Sequence, residues 1–219
     1  MALCSAAMKS ASDNKQALKN EPGMVDLVMK GAAHPSVNIS GIALSVLARV
    51  ATMDTSLPPE LLPLLQRRAI TPHHIISGSP SLAASDICGV NVQEFHIFRN
   101  AVLKEALIAC YEGDRDNYMD SCTSAVEEFC SEGATSEVSL HLEAALFCLA
   151  TVAEQVLAGD GMNRHSSQLE RCTTALSNKP ASLMVNPLTL AQMCQFIRKV
   201  GFLDLSAAKR LDNGVPSLL

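Results

Sequence analysis

The stretch Ser136–Gly159, SEVSLHLEAALFCLATVAEQVLAG, decides the fold. Its residues Leu142, Ala145, Leu146, Leu149, Val152, Ala153, Val156 and Leu157 recur at the spacing of one helix face. Ala144, Phe147, Cys148 and Thr151 cover a second flank. His141, Glu143, Glu154 and Gln155 make up most of the polar remainder. Ser136 is placed to cap the first turn, Glu137 suits the positive end of the helix dipole, and Gly159 can end the helix. A helix apolar on two flanks needs neighbours on two sides, as a layer within a stack of helices has. It is expected to be the most buried helix of the chain, with Leu146 and Leu149 fully inside.

The rest of the composition agrees with close helix packing. Of 219 residues, 48% are hydrophobic but only 4% aromatic, with no Trp, so Leu, Ala, Val, Ile and Met must fill the core. A β-sandwich would draw on aromatic and β-branched residues instead. The net charge of −5 argues against a general nucleic-acid surface. Only Gln66-Arg67-Arg68 and Arg198-Lys199 come near a basic patch, and tight duplex binding is not expected. The eight cysteines, Cys4, Cys88, Cys110, Cys122, Cys130, Cys148, Cys172 and Cys194, form no C-x-x-C pair and no zinc spacing with His. Most fall at apolar helix positions, which points to a reducing compartment, cytosol or nucleus. No apolar run reaches transmembrane length, and the first residues lack the continuous apolar centre of a signal peptide.

Outward from the central stretch, the chain reads as helices and breaks. Residues 1–19 suggest a weak helix, ended by Glu21-Pro22-Gly23, and Met24–Ala33 a short one. His34-Pro35-Ser36 turns into a helix with Val37, Ile39, Ile42, Ala43, Val46, Leu47 and Val50 inward, whose small Ser40 and Gly41 permit a close neighbour. After Leu57-Pro58-Pro59 comes Glu60–Ile70, with Pro63 tolerable near the first turn. Residues 71–92 read as a loop. Gln93–Tyr111 is a strong helix carrying Phe95, Phe98, Val102, Leu103, Ala106 and Cys110, and Asp114 can cap Asp116–Cys130 as its hairpin partner. Asp160–Ser166 reads as a loop, Ser167–Ser177 as a helix through Leu169, Cys172 and Leu176. Asn186-Pro187 opens Leu188–Val200, with one more short helix after it. The expected fold is all-α, a single α-solenoid segment over 1–219 with helical pairs near 24–70, 93–130, 137–177 and 187–211. The pairs recur about every 40 residues, as in HEAT-type arrays.

Four stretches resemble a known family. His34-Pro35-Ser36 with Ile39-Ser40 and Ala43-Leu44 is similar to a helix start of the importin-β (karyopherin-β) superfamily, exportin and transportin-SR branch. Glu94-Phe95-x-x-Phe98-Arg99 resembles the acidic opening those receptors carry before a helical pair. His141-Leu142-Glu143-Ala144-Ala145-Leu146-Phe147 with Val152-Ala153-Glu154 resembles a third helix, with His141 where that family usually has an aromatic. Asn186-Pro187-Leu188 with Gln192 and Cys194-Gln195-Phe196-Ile197 is similar to the helix opening the next repeat. The ordered set covers about residues 24–202 and matches the central HEAT-repeat portion. The resemblance implies an armadillo-type superhelix in cytoplasm and nucleus, with cargo, Ran-GTP and nucleoporin repeats as partners of the full-length receptor. The family's Ran site depends on N-terminal repeats, which this chain is expected to lack. It is several-fold shorter than such a receptor, so a fragment is expected. Its apolar ends, Leu3, Ala7, Met24, Leu27 and Val28, and Phe196, Val200, Phe202, Leu203 and Leu205, predict self-association.

Catalysis finds no support among the candidates. His141-x-Glu143 has half of a deaminase zinc signature without the P-C-x-x-C, and reads as a helix-surface pair. His73-His74 reads as solvent-facing, and Glu127-Glu128 with Asp114, Asp116 and Asp120 as caps or a solvated face. Cys110, Cys122 and Cys130 read as inert buried thiols. No catalytic, cofactor or metal residue is assigned, and interface residues leave no short signature. The leading expectation is a non-enzymatic binding module of nucleocytoplasmic transport. A HEAT-like scaffold unrelated to transport is the alternative.

Overall fold

The computed structural model describes residues 22–51, 57–72, 90–131, 135–157, 161–178 and 187–212. Among them the fold is all-α, without a strand. The elements are α1 (Pro22–Ala32), α2 (Val37–Ala51), α3 (Leu61–Ala69), α4 (Val92–Phe98), a π-helical segment (Arg99–Leu103), α5 (Lys104–Gly113), α6 (Arg115–Ser131), α7 (Ser136–Leu157), α8 (Gly161–Ser177) and α9 (Pro187–Asp212). They form two compact units, one reaching to Tyr118 and one starting at Met119. The expected helix over 1–19 and most of the 71–92 loop, His73 and His74 included, lie outside the described residues.

In the first unit, His34-Pro35-Ser36 turns the chain from α1 into α2. The Ser36 N–H donates to His34 Nδ1 at 3.0 Å and the Ser36 carbonyl accepts from the Ser40 N–H at 2.9 Å. The two helices cross closely. A Cβ on Gly31 would stand 3.1 Å from Ala43 Cβ, and Ser40 Oγ donates to the Ala32 carbonyl at 2.8 Å. The buried side of α2 centres on Ala43, Leu44, Val46 and Leu47, while Val37, Ile42 and Val50 are half-buried. Periodicity alone had turned all of these but Leu44 inward.

Arg68 of α3 lies in this core, only 1% exposed. Its Nε donates to the Ala32 carbonyl at 3.3 Å and its Nη2 to the His34 carbonyl at 2.6 Å. Those oxygens close α1, where carbonyls lack helical partners and the dipole is negative. The expected basic surface patch therefore loses Arg68, which caps a helix; Arg67 stays exposed.

Asn91 and Glu94 start α4 with a reciprocal capping box, at 2.9 Å and 3.2 Å. The helix expected over Gln93–Tyr111 is interrupted by the π segment. Phe95 and Phe98 are buried before it, and Leu103, Ala106, Leu107 and Cys110 after it. A π turn inserts one residue, so Leu103 takes the inward place that α spacing assigns to Val102. Arg99 is buried at this point, its guanidinium 5.9 Å from the Phe95 ring centre and donating to Thr71 Oγ1 at 3.2 Å. Asp114 caps α6 through the Asn117 N–H at 3.2 Å. Tyr111 and Tyr118 meet edge to face, centroids 5.7 Å apart.

In the second unit every residue of α7 from Leu142 to Ala153 is buried, Leu146 at 0% exposure. Its cap is Thr135, whose Oγ1 accepts from the Val138 N–H at 3.1 Å, one residue before the expected Ser136. Both α8 and α9 pack on α7. Thr189 Oγ1 donates to the Ser139 carbonyl at 2.8 Å and Lys199 Nζ to the Ala150 carbonyl at 2.7 Å. Two bonds, eleven residues apart on α7 and ten apart on α9 in the same chain direction, mean that the two helices run parallel. A second series joins α6 to α8: Asp120 to Gln168, Thr123 to Cys172 and Glu127 to Arg171. Helix α9 continues through Gly201, where a break was expected. One helical glycine costs only about 1 kcal/mol, and the next proline is Pro216. Phe202, Leu203 and Leu205 lie outside what is described at side-chain level.

Arg68→Ala removes two charge-assisted bonds and leaves the His34 carbonyl without this donor, while Ser40 still serves the Ala32 oxygen, so the first unit should lose ~2–4 kcal/mol. Both tyrosines of the chain lie in that unit. Their fluorescence in urea should show a lower unfolding midpoint, and an unchanged midpoint would contradict the capping role.

Candidate binding groove

A groove of about 540 Å3 opens between the first half of α2 and the α4–π helix of the first unit. Its apolar wall is Val37, Ile42, Val90, Ile97, Phe98 and Val102; its polar margin is Ser36, Asn38, Ser45 and Glu94. Gly41 forms the floor. A Cβ there would sit 3.9 Å from the Phe98 ring and 4.0 Å from Val102, in ordinary contact. The groove exists because α2 presents small residues, Gly41 and Ser45, towards a helix whose π turn has moved Val102 outward. Ile97 is 61% exposed at the groove wall. Glu94 is the one charged residue among the described lining residues, and its capping bond to the Asn91 N–H holds the carboxylate in place. The volume lies in the range of ligand-binding clefts. Apolar walls with one fixed carboxylate can seat a side chain, but they bring no acid–base or nucleophile–base pair together.

The residues weighed on sequence grounds lie elsewhere. Glu143 is 3% exposed, so His141 and Glu143 are not the surface pair expected; Glu143 faces the interior and His141 stacks at a tilt on Phe129, centroids 5.1 Å apart. Packing on α7 is tight enough that its polar residues also go inside. Glu127 pairs with Arg171 on the surface, with Arg171 Nε donating to Oε1 at 2.8 Å. That hydrogen bond holds the Glu127 carboxyl below its ordinary value, the reverse of what a general acid needs. Asp120 accepts from Gln168 Nε2 at 3.1 Å, Asp114 is a cap, and Asp116 and Glu128 are exposed. Of the basic residues, Lys199 is held by the Ala150 carbonyl and lies 3.8 Å from Glu154, while Arg198 is exposed.

Cys110, Cys122, Cys130, Cys148 and Cys172 are buried; Cys194 is exposed. Burial pushes the Cys172 thiol up from 9.0 to about 11, against the opposing bond to Thr123 Oγ1. Such a thiol is a poor nucleophile at neutral pH. The groove itself escaped sequence reading. Its traces were the Ser40-Gly41 pair, read as room for a neighbour, and the Asn91-x-x-Glu94 cap signature. Comparison with protein-family models, with curated proteins and with solved structures yields no match. Among the described residues no helix is long and apolar enough to cross a membrane.

The Cys172 shift makes alkaline stability measurable. Its folded pKa is raised, so the contribution is whole below the unfolded value of 9.0 and is lost as pH rises towards about 11. Two pH units correspond to ~2–3 kcal/mol. Cys172→Ala should flatten the fall in urea stability between those pH values; an unchanged slope would place the titration elsewhere.

Proposed function

We propose that the chain is a run of α-solenoid that binds proteins, without catalysis, in nucleocytoplasmic transport. The observation that carries the solenoid is the side-chain register of the second unit. Asp120–Gln168, Thr123–Cys172, Glu127–Arg171, Ser139–Thr189 and Ala150–Lys199 are separated by 48, 49, 44, 50 and 49 residues. Each helix is thus met by the helix two places later, at a step of 44 to 50 residues. A stack of two-helix repeats has this property, and HEAT and armadillo repeats take about 40–47 residues. In the first unit α2 meets α4 and α5 beyond α3 in the same alternating way.

The transport role rests on the resemblance of four ordered motifs to the importin-β superfamily. Two of them have structural reasons in this chain. His34-Pro35-Ser36 makes the α1–α2 turn, and Glu94 with Phe95, Phe98 and Arg99 builds the cap, core and buried cation of α4. Cargo, Ran-GTP and nucleoporin repeats are the partners this reading implies for a full-length receptor, in cytoplasm and nucleus.

Immobilised peptides carrying phenylalanine-glycine repeats should retain the purified chain, with micromolar-range affinity, and serine-glycine peptides should not. Equal passage over both surfaces would leave a HEAT-like scaffold with no place at the pore.

A further inference from the structure

We propose that the α2–α4 groove is a docking site for a short peptide segment carrying one bulky apolar side chain beside a lysine or arginine. The proposal rests on the reading of the chain as a protein-binding module and adds the chemistry of one partner. Three features define the occupant. First, the lining from Glu94 to Val102 spans nine residues of helix, eight steps and about 12 Å at roughly 1.5 Å each. That length matches roughly four residues of extended chain at 3.3 Å each. Second, the floor at Gly41 lies beneath Phe98 and Val102, with Ile42 and Ile97 as walls, so one large apolar side chain fits the deep part. Ile97, 61% exposed, would be covered by it.

Third, the charge has one sign. Among the described lining residues Glu94 alone is charged, and one of its oxygens accepts from the Asn91 N–H at 3.2 Å. The capping box therefore holds the carboxylate at the groove margin before any partner arrives, which lowers the ordering cost of pairing. A cation on the occupant would find a prepositioned partner, while an acidic segment would be repelled. The net charge of −5 adds long-range attraction for the same class.

The test uses two fluorescein-labelled octapeptides, identical except that a central Phe is flanked by Lys in one and by Glu in the other. By fluorescence anisotropy the whole chain should bind the Lys twin roughly threefold tighter, the scale of one exposed ion pair. Glu94→Gln keeps the capping box, since Gln serves that position as well, and should equalise the twins. Ile97→Gln alters an exposed position and should weaken both several-fold with an unchanged circular dichroism spectrum. Ser45→Phe should fill the groove and abolish both. Equal binding of the twins by the unaltered chain, or an Ile97→Gln chain that binds both as before, overturns the proposal. So does an Ile97→Gln change that alters only the mass by light scattering, which would make a second copy the occupant. A chain that ignores phenylalanine-glycine repeats yet separates the twins keeps this site and removes the transport role.

Discussion

A helix buried from Leu142 to Ala153 cannot stand without its neighbours, and the second unit is arranged to meet that requirement. Burying one Leu, Val or Phe side chain contributes roughly 1.5–3 kcal/mol, so α7 supplies most of the drive for α8 and α9 to pack on it. Hydrophobic burial is non-directional, however, and would accept several registers. Direction comes from a few polar groups: Thr189 on the Ser139 carbonyl and Lys199 on the Ala150 carbonyl. Both spend a side-chain donor on a main-chain oxygen of α7. A slip of one residue would leave each donor without that acceptor, at the cost of an unsatisfied polar group.

The first unit solves a related problem with a charge. Its α1 ends inside the structure, with the Ala32 and His34 carbonyls turned towards α3 and Arg68 against them. Ser40 gives the Ala32 oxygen a second donor. A buried guanidinium is costly unless bonded, and a helix end is costly unless capped; here each removes the other's penalty. The close crossing at Gly31 and Ala43 is what brings α1 within reach of both donors.

What the sequence disclosed follows from this difference. Apolar periodicity over 136–157 marked α7 and the burial of Leu146 and Leu149, because a fully apolar helix has few alternatives. Local signals were equally clear: Asp114 before Asn117, and Asn91 three residues before Glu94. Non-local polar contacts were not legible. Arg68 beside Arg67 looks like a surface pair until α1 is known to end 34 and 36 residues earlier in chain and close by in space. Glu143 was assigned to solvent by its charge and placed inside by packing on both flanks of α7. The one-residue shift of the Thr135 cap is an ordinary boundary error, but α8 starts at Gly161, so most of the stretch 160–166, read as a loop from its polar composition, is helical.

The groove was hidden for a further reason, a change of helical period. With α spacing, Phe95, Phe98 and Val102 share one face and leave no opening. The π segment adds a residue after Phe98, so Leu103 enters the core and Val102 turns to the wall opposite Gly41. Such a turn is rare and mostly confined to single turns inside α-helices, so something must hold it. Arg99 is placed to do so, buried over Phe95 and bonded to Thr71 at the start of the segment. The turn that completes the core at Leu103 is therefore the one that exposes the groove at Val102. The buried Leu103 and the groove wall at Val102 are two consequences of a single inserted residue.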